Sequence, residues 1–119
     1  MKKILLIDDH NYMYDLVAGI LKEYNISYVD NVDDALLTLN NETFDLVIVD
    51  LMMPKKSGFS LLPLLKNKNI PNITLSNVKN KRISRDILKM TDAYINKGEI
   101  DHLKSTAIKI LNGIEIEKV

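Results

Sequence analysis

The chain has no cysteine. Disulfides, thiolate nucleophiles and zinc-thiolate sites are therefore excluded. It also lacks a long apolar run, since no stretch approaches the ~20 residues that a membrane helix needs. The start, "MKKILLIDD", has only Ile4-Leu5-Leu6-Ile7 between two lysines and two aspartates, too short for a signal-peptide core. These absences lead to the expectation of a cytoplasmic protein with no membrane association. Repeats, low-complexity tracts and linkers are missing too, and 119 residues suffice for one domain but not for two. Net charge is zero, but residues 1–53 carry three basic and ten acidic side chains, whereas residues 54–119 carry thirteen and six. Such asymmetry marks either a charged site with a polar partner surface or simply two solvated faces.

What is present is alternation. Five short apolar runs (Ile4–Ile7, Ile26–Val29, Leu46–Val49, Ile73–Leu75 and Ala93–Ile95) are separated by segments of helical period. Short β-branched runs bounded by turn residues suit the buried strands of a parallel sheet. Met13, Leu16, Val17, Ile20, Leu21 and Tyr24 form one helical stripe, and Ala35, Leu36 and Leu39 belong to a second, with Asn31 placed to cap it. Pro63 fits a third helix only in its first turn, so that helix is expected to start near Ser60. Ile100, Leu103, Ala107, Ile110 and Ile114 make the last stripe, and Gly113 is placed to end it. Repeated strand-helix alternation predicts an α/β fold, a single doubly wound parallel sheet. The domain is read as 1–119, with 113–119 as a frayed helix end or the remnant of a linker.

In open α/β sheets, sites form beyond the carboxyl ends of the strands. After the first strand come Asp8 and Asp9, after the third Asp50, after the fourth Ser76 and Asn77, and after the fifth Lys97. An aspartate after one apolar strand is a weak signal, because aspartate is a common helix cap. Matching residues at four strand tips are far more specific. Carboxylates at ~4 Å repel by about 4 kcal/mol per pair at an effective dielectric of ~20. Such a pocket takes up protons or binds a cation, and hard oxygen ligands without thiolate or imidazole favour Mg²⁺ over zinc or copper. Asp50 could then serve as a nucleophile towards phosphorus, with Lys97 and Ser76 holding the phosphoryl oxygens.

Rival chemistries want residues that are missing. A flavin or nucleotide module wants a Gly- or Ser/Thr-rich phosphate loop after the first strand, where this chain has the acidic "DDHNYMY". An aspartate-nucleophile phosphohydrolase wants a second aspartate two residues after the nucleophile, where Met52 stands. A helix-turn-helix does not fit in the remaining chain, so direct nucleic-acid binding is not expected.

"LLIDDH", "VIVDLMMPKKSG", "ITLSN" and "DAYINKG" together resemble the receiver domain of bacterial response regulators, and the similarity covers essentially the whole chain. The resemblance implies a (βα)5 sheet in the flavodoxin-like order 2-1-3-4-5. It implies a two-component or phosphorelay protein that takes a phosphoryl group onto Asp50 from a sensor histidine kinase or a histidine phosphotransfer protein. Such a protein is not an enzyme beyond its own phosphorylation and dephosphorylation. Mg²⁺, or Mn²⁺, would be held by Asp8, Asp9, Asp50 and the Met52 backbone carbonyl. Ser76 would turn inward to a phosphoryl oxygen, Lys97 would pair with another, and the Tyr94 rotamer would follow Ser76. An output protein would meet the face formed by the fourth helix, fifth strand and fifth helix, with the chain a monomer or a phosphorylation-dependent dimer. A degenerate receiver that only binds partners is the alternative within the family. Gly98 stands where the family often has proline, and Ser76 where many members have threonine. His10 follows the acidic pair and is read as a solvated loop residue, with a role at the metal as the lesser alternative. The basic run of Lys79, Lys81, Arg82, Arg85 and Lys89 is expected to suit an acidic partner, and apolar Met52 and Val78 to slow loss of the phosphoryl group.

Overall fold

The computed structural model describes residues 1–77, 81–114 and 116, with residues 81–84 described by backbone alone. Five strands alternate with five α-helices: β1 (Lys3–Ile7), α1 (Tyr12–Ile20), β2 (Asn25–Val29), α2 (Val32–Asn41), β3 (Leu46–Val49), α3 (Leu61–Asn67), β4 (Asn72–Ser76), α4 (Lys81–Met90), β5 (Ala93–Asn96) and α5 (Leu103–Leu111). All strand pairings are parallel and the order is β2-β1-β3-β4-β5, as the sequence predicts. Strand order reverses between β1 and β3, so a crevice opens above the carboxyl ends of those two strands.

Central strands are apolar throughout because helices cover both faces of the sheet. Leu5, Ile7, Val47 and Val49 point into one core with α2 and α3, while Ile4, Leu6, Leu46 and Ile48 point into the other with α1 and α5. Alternation along β4 is different. Ile73 and Leu75 join the second core, but the opposite face carries buried Asn72, Thr74 and Ser76.

Local chemistry sets the helix ends. Asn31 accepts the Asp34 N–H at 2.8 Å and starts α2. Ser60 precedes α3, so Pro63 falls in the first turn, where its missing N–H costs no helix bond. Both α3 and α5 end in the same two-bond motif. At α3, Asn69 (φ 56°) donates to Lys66 O and Ile70 to Leu65 O; at α5, Gly113 (φ 75°) donates to Ile110 O and Ile114 to Lys109 O.

The expected stripes hold in part. Met13, Val17 and Leu21 are buried, but Leu16 is 42% exposed and Tyr24 lies beyond the helix, because α1 closes at Ile20. Ile114, expected on the last stripe, is 54% exposed past the left-handed Gly113. Of the tail "IEIEKV", Glu115 and residues 117–119 lie outside the described residues. Among the described residues, no helix is long and apolar enough to cross a membrane.

Candidate functional site

Asp8 and Asp50 extend the sheet by one backbone bond each. Asp8 N–H donates to Val29 O at 3.2 Å, and Asp50 N–H donates to Ile7 O at 2.9 Å. The Tyr28 hydroxyl, from the tip of β2, donates to Asp8 O at 2.7 Å and pins the acidic loop. Both carboxylates are thereby fixed on adjacent central strands, and both are almost fully buried. Asp9, one residue on, keeps 23% of its side chain exposed.

Among the described residues, three donors hold the Asp50 carboxylate. Ser76 Oγ donates to Oδ1 at 2.9 Å, the Met52 N–H to Oδ1 at 3.0 Å, and Lys97 Nζ to Oδ2 at 3.1 Å. Lys97 also pairs with Asp8 Oδ2 at 2.9 Å. Burial disfavours the Lys97 ammonium, but the Asp8 and Asp50 carboxylates beside it more than offset that, so its pKa is raised above the usual lysine value. The lysine arrives from β5, the hydroxyl from β4 and the nucleophile candidate from β3. All four strand tips singled out in the sequence therefore supply groups to one crevice. Ser76, expected to turn inward to a phosphoryl oxygen, already faces inward and is fully buried, because the Asp50 carboxylate gives its hydroxyl an acceptor.

The loop after β3 depends on a glycine. A Cβ on Gly58 would lie 2.2 Å from the Asp50 carbonyl oxygen, so no other residue fits there without moving the backbone of Asp50. Ser57 Oγ donates to Leu51 O at 2.9 Å and Gly58 N–H to the same oxygen at 3.2 Å, folding the loop back over the strand tip. Met52, in the same loop, is 63% exposed.

Asp8, Asp9, His10 and Asp50 each offer a ligand atom, all within 4.8 Å of one another. Asp9 Oδ1 is buried and, among the described residues, makes no hydrogen bond. A buried carboxylate oxygen without a donor, among other carboxylates, fits a hard cation well. The sequence alone reads His10 as a solvated loop residue; it is half exposed, yet its Nδ1 lies 3.2 Å from Asp8 Oδ1 and 3.3 Å from Asp9 Oδ1. Only the turn geometry reveals that contact. In register, Tyr94 sits opposite Thr74 and Asn96 opposite Ser76, so Tyr94 is one pleat below the Ser76 hydroxyl on the same face. Burial pushes the Tyr94 phenol up. Val78, Lys79 and the side chains of Lys81 and Arg82 lie outside the described residues; Arg85 and Lys89 are exposed on α4.

The family model of the response regulator receiver domain matches residues 4–107. A gliding motility regulatory protein of Myxococcus xanthus is 31% identical over 105 residues, which are 82% of this chain and 14% of that protein. The chain spans less than half the length of the curated relatives it matches. The receiver domain of a Francisella response regulator superposes with a TM-score of 0.85 at 26% identity, over 95% of this chain and 98% of that one. The Thermotoga maritima response regulator TrrA, solved in complex with Mg²⁺ and BeF, gives a TM-score of 0.81 at 30% identity, over 92% of this chain and 99% of that one.

Proposed function

This chain belongs to the response regulator receiver domain family, and on that premise we propose that it is a phosphorylatable switch whose phosphoacceptor is Asp50. The observation that carries the assignment is the threefold grip on one carboxylate, by the Met52 N–H, the Ser76 hydroxyl and the Lys97 ammonium. The aspartates that cap the other end of the sheet, Asp45 and Asp92, accept from backbone N–H groups of a neighbouring strand. Here two of the three donors are side chains from other strands, and both can follow an oxygen that moves.

In the proposed reaction, an Asp50 carboxylate oxygen attacks the phosphorus of a phosphohistidine on a sensor kinase or phosphotransfer protein. The new P–O bond forms as the P–N bond breaks. The imidazole nitrogen leaves with the bonding pair and takes a proton from solvent. Lys97 Nζ and Ser76 Oγ exchange the carboxylate oxygens for phosphoryl oxygens, so no new donor has to be recruited. The phosphoryl group carries about −2 charge where the Asp50 carboxylate carried −1, so the crevice gains about one negative charge beside Asp8 and Asp9. Asp8, Asp9, Asp50 and the Met52 carbonyl would hold Mg²⁺ or Mn²⁺, which when bound offsets that charge. The change at Ser76 would reach Tyr94 through β4 and β5 and so bias the α4–β5–α5 face toward an output partner. Residues 1–119 are taken as one such receiver, with residues 113–119 as a helix end or linker. Exposed Met52 and, with it, Val78 are expected to leave the attacking water without an acceptor, giving a long-lived phosphoryl state.

Intact mass after treatment with a small-molecule phosphodonor and Mg²⁺ tests this. Wild type should gain one phosphoryl group and Asp50→Asn none. Equal stoichiometry in the variant would remove Asp50 from its role.

A further inference from the structure

His10 has no part in the transfer just described, yet its position is not that of a loose loop residue. Its own backbone N–H donates to Asp8 Oδ1 at 2.9 Å, and its ring lies against Tyr12 with centroids 5.5 Å apart. The imidazole is thereby held over both carboxylates of the acidic pair, with Nδ1 at 3.2 and 3.3 Å from one oxygen of each. Two ligand atoms bound at about 2.1 Å and at right angles on one octahedral cation are about 3.0 Å apart. The observed separations are close to two edges of such a polyhedron. Among the described residues, Asp9 Oδ1, one of the two oxygens, has no hydrogen-bond donor, and the His10 ring nitrogen is its close polar neighbour.

Resting on the assignment of this crevice as the cation site, we propose that His10 Nδ1 is a fourth side-chain ligand beside Asp8, Asp9 and Asp50, and that it turns an all-oxygen Mg²⁺ site into a mixed nitrogen-oxygen site that favours Mn²⁺ and later first-row divalent ions. Magnesium is hard and gives up its water reluctantly, so it gains little from an imidazole. First-row transition ions gain more, in the order Mn²⁺ to Cu²⁺. The half-exposed ring leaves a side open to solvent for cation entry. The competing role is a brace, in which Nδ1–H donates to Asp8 Oδ1 and never touches the metal.

Pulsed electron paramagnetic resonance on Mn²⁺-loaded protein separates the two, because a directly bound imidazole gives ¹⁴N hyperfine modulation. Wild type should show that coupling and His10→Ala should lack it. By calorimetric titration, His10→Ala should lose about tenfold or more in Mn²⁺ affinity, and clearly less in Mg²⁺ affinity, so that the preference narrows. Mn²⁺ bound without nitrogen coupling, or equal losses for the two ions, would make His10 a brace and overturn the inference. Asp50→Asn isolates the underlying assignment: Mn²⁺ binding unaffected by that variant places the cation elsewhere, and no Mn²⁺ binding by wild type overturns both.

Discussion

Aspartates stand at both ends of this parallel sheet, and the two ends use them in opposite ways. Asp45 immediately precedes β3, and Asp92 immediately precedes β5. Asp45 Oδ2 accepts the Lys3 N–H at 2.8 Å while its own N–H donates to Lys3 O at 2.8 Å. Asp92 repeats the pattern on the first residue of β4, accepting from Asn72 N–H at 2.9 Å and donating to Asn72 O at 3.1 Å. Each caps the neighbouring strand and remains exposed to water. At the carboxyl ends, Asp8 and Asp50 are buried, and the strands offer them carbonyl oxygens instead of N–H groups. They are held instead by a lysine, a hydroxyl and loop N–H groups. Chain direction thus decides what an aspartate does. The donor-rich end satisfies its carboxylates from the backbone of the neighbouring strand, whereas the acceptor-rich end leaves them to side chains and loop N–H groups.

Removing the lysine should expose that contrast most strongly. In Lys97→Met, the buried Asp8 and Asp50 carboxylates lose their shared counter-charge, and breaking a buried pair in this way costs about 3 kcal/mol or more. Mg²⁺ should restore a large part of the denaturant midpoint in the variant. A small loss that Mg²⁺ does not affect would mean the carboxyl end is as self-sufficient as the other. Because the Lys97 pKa is raised in the folded protein, its contribution is complete below the ordinary lysine value and fades only as pH rises through the raised one. The difference between wild type and variant should therefore be flat across neutral pH and shrink only in strong alkali.

At the other end the expected effect is smaller and of a different kind. Asp92→Ala strips the acceptor from the Asn72 N–H and should cost about 1 kcal/mol. Mg²⁺ should not change that cost, and phosphorylation should proceed as in wild type. Asp92→Asn, which keeps an acceptor oxygen, should recover most of the loss. A phosphorylation defect in either variant would couple two ends that the contrast keeps apart.

The smallest effect concerns the turn that feeds β4. Asn69 at the end of α3 does what Gly113 does at the end of α5, but carries a Cβ at φ 56°. Asn69→Gly should raise stability by a few tenths of a kcal/mol, roughly the residual cost of a left-handed asparagine. Chemical denaturation with the slope held fixed resolves such a change; a clear loss would show that the asparagine side chain contributes something glycine cannot.

Much of this is legible in the sequence. Five apolar runs and their helical intervals identify the strands, and the residues just past the strand tips bring Asp8, Asp9, Asp50, Ser76 and Lys97 into one crevice. Asp45 and Asp92 are not legible as caps, because each reaches across to a neighbouring strand and the register between strands is not written in either one. His10 is only half legible: its place after the acidic pair suggests a role at the metal as a lesser reading, but its contact with the pair is made by the turn, through its own backbone N–H on Asp8. The polar face of β4 is visible as Asn72, Thr74 and Ser76 at period two, but a strand buried on both faces masks that alternation. Gly58 can be placed in the motif, whereas the 2.2 Å clearance that demands it belongs to the folded loop alone.

The central claim is that direction along the sheet singles out Asp50 among the aspartates. Borohydride reduction of the phosphorylated protein converts an aspartyl phosphate to homoserine, and peptide mass mapping then locates it. The account predicts homoserine at position 50 alone, with Asp8, Asp9, Asp45 and Asp92 unchanged. Homoserine at any of those four in place of position 50 would contradict it.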